Sequence, residues 1–98
     1  MALFRTGEIV TTNGIARAMM LDHGFLEAVR ECLTRHCLGD WGDACEETKQ
    51  QNDEALEAER NGKLIDSLFS VYDIDGTEIF IITEIDRSVT TILFSDEY

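Results

Sequence analysis

The chain has 98 residues, room for one ordinary domain, and 44% of them are hydrophobic, enough for a small core. It carries 20 Asp and Glu against 8 Lys and Arg, a formal charge of −12. That balance argues against direct nucleic-acid binding through a basic patch and against an anionic lipid surface.

No apolar run approaches the ~20 residues of a membrane helix. The opening Met1-Ala2-Leu3-Phe4-Arg5 lacks the apolar segment of a signal peptide. A soluble, cytoplasmic protein is expected. Cys32, Cys37 and Cys45 are an odd number without a regular framework and read as reduced thiols.

In chain order, Gly7 to Thr12 is a short extended candidate. Asn13 stands where a helix N-cap belongs. Ile15, Ala18, Met19 and Leu21 follow at helical spacing, and Gly24 is placed to stop that helix in the left-handed conformation. Phe25 to Leu38 is the clearest amphipathic helix. Phe25, Leu26, Val29, Cys32, Leu33, His36 and Cys37 recur at three and four, with Gly39 as the stop. Gly39-Asp40-Trp41-Gly42-Asp43 is a tight corner, and Asp40 or Asp43 is positioned to cap the next helix, about 43–60. That helix is polar almost all round and ends at Asn61-Gly62.

The remainder reads as strands. Lys63 to Asp73 is one, and Asp75-Gly76 signals a hairpin. Thr77 to Glu84 alternates, with Ile79, Ile81 and Thr83 on one side and Phe80 and Ile82 on the other. After the turn at Ile85-Asp86-Arg87, Ser88 to Ser95 is the third strand. The expected class is α+β in one domain over 1–98. N-terminal helices (about 13–61) pack on a C-terminal three-stranded antiparallel β-meander (about 63–95).

The charge is concentrated. Between Asp40 and Glu59 stand Asp40, Asp43, Glu46, Glu47, Asp53, Glu54, Glu57 and Glu59 with a single Lys49, a balance of −7. Asp43, Glu46, Glu47, Gln50, Asp53, Glu54 and Glu57 follow helical spacing, so several carboxylates share a face. Such a stripe attracts a basic surface and can imitate the phosphate repeat of a nucleic acid. Its plain alternative is a solubilising face. Trp41 reads either as an exposed anchor or as a ring folded on the core.

Cys32 and His36 lie four apart on one helix face, but the close paired spacing of a zinc site is missing, so no metal or other cofactor is expected. Glu84 and Asp86 can be read as an acid/base pair with Arg87 as an anion clamp. No nucleophile, base and oxyanion set assembles there, and no catalytic residue is assigned.

Two stretches carry a resemblance. Gly39-Asp40-Trp41-Gly42 precedes an acidic helix with Asn52-Asp53-Glu54-Ala55-Leu56, and Ile81-Ile82-Thr83-Glu84-Ile85-Asp86-Arg87-Ser88-Val89-Thr90-Thr91-Ile92-Leu93 follows the Asp75-Gly76 hairpin. With the Glu97-Tyr98 end, they resemble a family of small acidic proteins of bacterial plasmids and conjugative elements. The resemblance covers roughly 38–98, and the first helices diverge from it. The family has no settled catalytic residues to carry over. The resemblance implies a mobile-element context, where small acidic proteins often blunt host defences.

The expectation is therefore a non-enzymatic binder that occupies the basic, nucleic-acid-binding surface of a host defence protein such as a restriction or CRISPR nuclease. Asp40, Trp41, Asp43, Glu46, Glu47, Asp53, Glu54, Glu57, Glu84, Asp86 and Arg87 are its candidate contacts. The alternatives are a regulatory, antitoxin-like protein or complex subunit that pairs through a sheet edge, and a small enzyme centred on Glu84, Asp86 and Arg87. A homodimer is compatible with any of them.

Overall fold

Asp75 and Gly76 both adopt positive φ, 50° and 87°. Two such residues in succession give the turn whose twist suits a hairpin. In the computed structural model, which describes residues 2–98, they join β2 (Leu68–Ile74) to β3 (Thr77–Thr83). The other elements are β1 (Glu8–Thr11), α1 (Asn13–Leu21), α2 (His23–Cys37), α3 (Glu46–Arg60), β4 (Val89–Phe94) and a 3-10 turn at Ser95–Glu97.

The fold is α+β, but the sheet has four strands in the order β1-β4-β3-β2. β2, β3 and β4 form the expected antiparallel meander. The correction is β1, which adds to β4 in parallel, with Ile9 opposite Thr90 and Thr11 opposite Ile92. The Gly7–Ser88 junction permits that pairing. Gly7 has φ 63°, and a Cβ there would lie 2.2 Å from the Ser88 carbonyl oxygen.

Three local boundaries also differ from expectation. Thr12, not Asn13, caps α1, its hydroxyl accepting from the Ile15 amide. Asp22 alone joins α1 to α2. Its backbone N–H donates to the Ala18 carbonyl and its carboxylate accepts from the Phe25 amide, so Gly24 lies inside the first turn of α2 rather than stopping α1. Residues 63–67 lie outside the strands, and β2 begins only at Leu68.

Strand alternation sets the core. Tyr72, Ile74, Ile79, Ile81 and Ile92 share one sheet face and bury against Ile15 of α1 and Val29 and Cys32 of α2. Each buried Ile or Val among them contributes roughly 1.5–3 kcal/mol through burial. A second cluster lies beside β2, where Phe4, Trp41, Ala44, Ala55, Leu56 and Leu68 pack together. It holds α3 at the sheet's flank.

Candidate binding surface

The acidic helix is anchored through few residues. Asn52, Ala55 and Leu56 form its buried face. Asn52 acts as a substitute strand, its amide N–H donating to the Phe69 carbonyl at 2.8 Å and its oxygen accepting from the Phe69 N–H at 3.1 Å. One register step further, the Trp41-Asp43 corner takes over. The Val71 N–H donates to the Trp41 carbonyl (3.2 Å), and the Asp43 N–H donates to the Val71 carbonyl (2.7 Å). The β2 edge is thus satisfied at Phe69 and Val71 by groups that are not a strand.

Gly42 makes this approach possible. Its φ is 67°, and a Cβ would stand 2.1 Å from the Val71 carbonyl oxygen. Trp41 is consequently folded in, with 4% of its surface exposed. Of the two readings of Trp41, the ring folded on the core is the one found, which corrects Trp41 as an exposed partner contact. Its ring stacks on Phe4 and meets His36 edge-on, and its indole N–H donates to Asp53 Oδ1 at 2.9 Å.

The opposite face of α3 is carboxylate. Asp43, Glu46, Glu47, Asp53, Glu54 and Glu57 are all exposed. The two cations of the helix are already engaged within it, Lys49 with Glu46 at 3.8 Å and Arg60 with Glu57 at 2.6 Å. Glu46 and Glu47 occupy the first turn, where the helix dipole favours anions. Cys45, rather than Asp40 or Asp43, is the N-cap. Its Sγ lies 3.2 Å from Thr48 Oγ1, which together with first-turn amides draws the thiol below its ordinary pKa.

Asp40 sits at the end of this face and is committed internally. It binds the Arg35 guanidinium through two hydrogen bonds and also accepts from the Gly42 N–H. The Arg35 bond holds its carboxyl below the usual range. Asp40, Trp41, Glu46, Lys49, Gln50 and Asp53 line an open cleft of about 440 Å³ between the corner and α3.

The turn after β3 does not present the expected set. Arg87 is 4% exposed and has φ 60°. Its Nε donates to Glu59 Oε1 at 2.9 Å, and its Nη1 donates to the carbonyls of Asp66, Glu84 and Ile85. Arg87 therefore pins the end of α3 and the 63–67 segment to the turn, which corrects its reading as a partner contact or anion clamp. Glu84 and Asp86 are exposed. Asp86 accepts from the Ser88 N–H at 3.0 Å, and hydrogen bonding from Ser88 lowers its pKa.

Sequence reasoning missed one polar constellation. His36 is fully buried between Phe4, Trp41 and the sheet. Its Nδ1 meets Ser70 Oγ, its Nε2 lies 2.9 Å from Thr83 Oγ1, Thr83 lies 2.7 Å from Thr90 Oγ1, and Thr90 donates to the Thr6 carbonyl at 2.8 Å. The carbonyl can only accept, so each earlier proton is assigned by elimination. Thr83 donates to Thr90, His36 Nε2–H donates to Thr83, and Ser70 donates to Nδ1. Both ring nitrogens are thereby used, which leaves neither free for a metal. Ser70 is also fully buried, so neither member of this serine–histidine pair is exposed at the surface. Among the described residues no three His, Cys, Asp or Glu side chains converge as metal ligands, and no helix is long and apolar enough to cross a membrane.

The chain matches no protein-family model, no curated protein and no solved structure.

Proposed function

We propose that the protein is a non-enzymatic acidic binder whose α3 face occupies a basic, nucleic-acid-binding surface of another protein. One observation carries the reading. Glu47, Glu54 and Asp43 are exposed without a cationic partner on the helix, while Lys49 and Arg60 are spent on Glu46 and Glu57. The buried anchors Asn52, Ala55 and Leu56 hold that face outward, so the carboxylates need no rearrangement to meet a basic groove. Trp41 acts from beneath, as a prop that bonds Asp53.

The resemblance of residues 38–98 to proteins of plasmids and conjugative elements supports a defence nuclease, restriction or CRISPR, as the target class. The mechanism is electrostatic and steric competition with nucleic acid. The test is nuclease–DNA binding followed by fluorescence anisotropy as the protein is added. Competition should occur at low salt and weaken towards physiological salt, because exposed charges are screened over about 8–10 Å. A variant with Glu46, Glu47, Glu54 and Glu57 changed to Gln should not compete. Asp53 is kept because it holds Trp41. Equal competition by the variant overturns the reading.

The sheet-edge alternative is narrowed by one observation. The β2 edge is taken up by Asn52 and the Trp41-Asp43 corner. The remaining edge is β1, four residues long. Pairing of a partner strand would have to use Ile9 and Thr11, since the Glu8 and Thr12 amides already donate to β4-side carbonyls.

A further inference from the structure

Strand β3 reads Ile79-Phe80-Ile81-Ile82, apolar at both parities. Such a run is the mark of a strand covered on both faces, whereas a one-sided antiparallel sheet alternates apolar and polar. Here the helices cover one face. Ile79 and Ile81 meet α1 and α2 through the main core cluster. Phe80 and Ile82 face the other way and share their rows with Leu93 and Thr91 of β4, with Val10 of β1 and with Phe69 of β2. The cover on this side is partial: Leu93 is buried, while Phe69, Phe80 and Ile82 are half-buried. The Tyr98 ring stands edge-on to Phe69 and Phe80 and is itself 78% exposed.

The rim of this face has one sign. Register places Glu8 beside Val89, and Asp73 opposite Glu78. Glu84 continues the outward parity beyond Ile82. All four carboxylates are exposed, and no Lys or Arg occupies β1, β2, β3 or β4. From β1 to β2 the face measures about 14 Å, three strand spacings, against the ~10–12 Å width of one helix.

We propose that this sheet face, which no helix of the chain covers, docks a cationic amphipathic helix of a partner protein. The helix's apolar stripe lies on the half-buried Phe80 and Ile82, above Leu93, and its lysines or arginines lie over Glu8, Glu78 and Glu84. Charge selects this occupant. A second copy would bring the same carboxylate rim and the same net −12 against itself, and an anionic membrane would be repelled. The surface is distinct from α3, which flanks the β2 edge, so the two readings stand or fall separately.

The test titrates the isotopically labelled chain with a synthetic ~18-residue Leu/Lys peptide, five turns when helical, and with a scrambled peptide of the same composition. Backbone amide shifts should map to Phe80, Ile82, Leu93 and Tyr98, and the scrambled peptide should bind at least tenfold more weakly. Ile82→Lys should abolish binding. Because that variant also alters a packed residue, Glu78→Lys with Glu84→Lys provides a second arm on exposed positions and should weaken binding several-fold. Gln at Glu46, Glu47, Glu54 and Glu57 should leave binding of the ordered peptide unchanged. Shifts confined to α3 with both peptides, no binding at all, or a concentration-dependent dimer that buries Ile82 in the free protein would each overturn the proposal.

Discussion

His36 Nε2 donates to Thr83 Oγ1 across 2.9 Å in a fully buried site, and the ring is neutral as a consequence of that site. The groups around it are Ser70, Thr83, Phe4 and Trp41, none of them charged. Burial alone lowers its pKa from 6.5 to about 4. A proton on Nδ1 would oppose the Ser70 hydroxyl and force it to find another acceptor.

Stability should therefore depend on pH in a defined window. Below pH 6.5 the unfolded chain protonates His36 while the folded chain resists until about pH 4. The unfolded state binds more protons in that interval, so stability falls as pH falls, by roughly 3 kcal/mol in total. Carboxylate protonation relieves the chain's self-repulsion mainly below pH ~5, so the interval from 6.5 to 5 sets the carboxylates aside, and a His36 variant separates His36 from His23. Urea denaturation at several pH values should show this slope in the wild type. His36→Gln, whose amide can still donate towards Thr83, should be flatter across the same interval. Equal slopes would remove His36 as the cause.

Asn52 completes the β2 edge with a single side chain, so its truncation has two consequences. Asn52→Ala removes both bonds to Phe69 from a site 2% exposed. A group left unsatisfied in such a place costs about 1–3 kcal/mol. The freed strand groups also become a template for another chain. The variant should show a lower urea midpoint and a larger concentration dependence of light scattering than a control at exposed Gln51. A midpoint within error of wild type would mean that water replaces the amide without penalty.

Much of this architecture was legible where it is local. Gly39, Gly62 and the Asp75-Gly76 pair mark chain reversals because positive φ is written into those residue types. The spacing from Phe25 to Cys37 already placed His36 on the apolar stripe, and strand parity placed Thr83 with Ile79 and Ile81. What escaped is non-local. The parallel pairing of β1 with β4 joins segments about 80 positions apart and leaves no local trace. Ser70 and Thr90 are ordinary strand residues until folding brings them to His36. Arg87 and Trp41 look like surface residues because their neighbours are polar and glycine-rich, yet Glu59 and the Asp66 carbonyl for Arg87, and Asp53 for Trp41, are partners from other segments. The α3 carboxylates were easier, since a helix with so few apolar positions can present little except charge.

Gly42 and Gly62 both have positive φ, and they separate strain from collision. Ala at Gly62 meets nothing within 4 Å, so only the left-handed backbone penalty applies, roughly 1–2 kcal/mol. Ala at Gly42 adds contacts of 2.1 Å to the Val71 carbonyl oxygen and 2.6 Å to the Tyr72 ring. Neither neighbour is a flexible side-chain end. Gly42→Ala should be the more destabilising by a clear margin in thermal melts. It should also raise Trp41 exposure to acrylamide quenching, since the corner must lift off β2. A Gly62→Ala variant of equal or lower stability would show that the corner yields without cost.

Arg87 joins the turn, α3 and the 63–67 segment through a single guanidinium, with its Nε on Glu59 Oε1 at 2.9 Å and its side chain 3% exposed. Arg87→Met would strip the donor from three carbonyls and leave Glu59, whose side chain is 21% exposed, beside an apolar group. Breaking a buried pair from one side costs about 3–5 kcal/mol, and the partial exposure of Glu59 puts this case at the lower end. Removing both charges avoids the stranded carboxylate, so Arg87→Met with Glu59→Met should recover part of the loss, the remainder reflecting the three carbonyls. Urea midpoints of the wild type, the two single variants and the double variant form the cycle. Strict additivity would mean that Arg87 stabilises the turn through the carbonyls alone and that Glu59 contributes nothing to holding α3 against it.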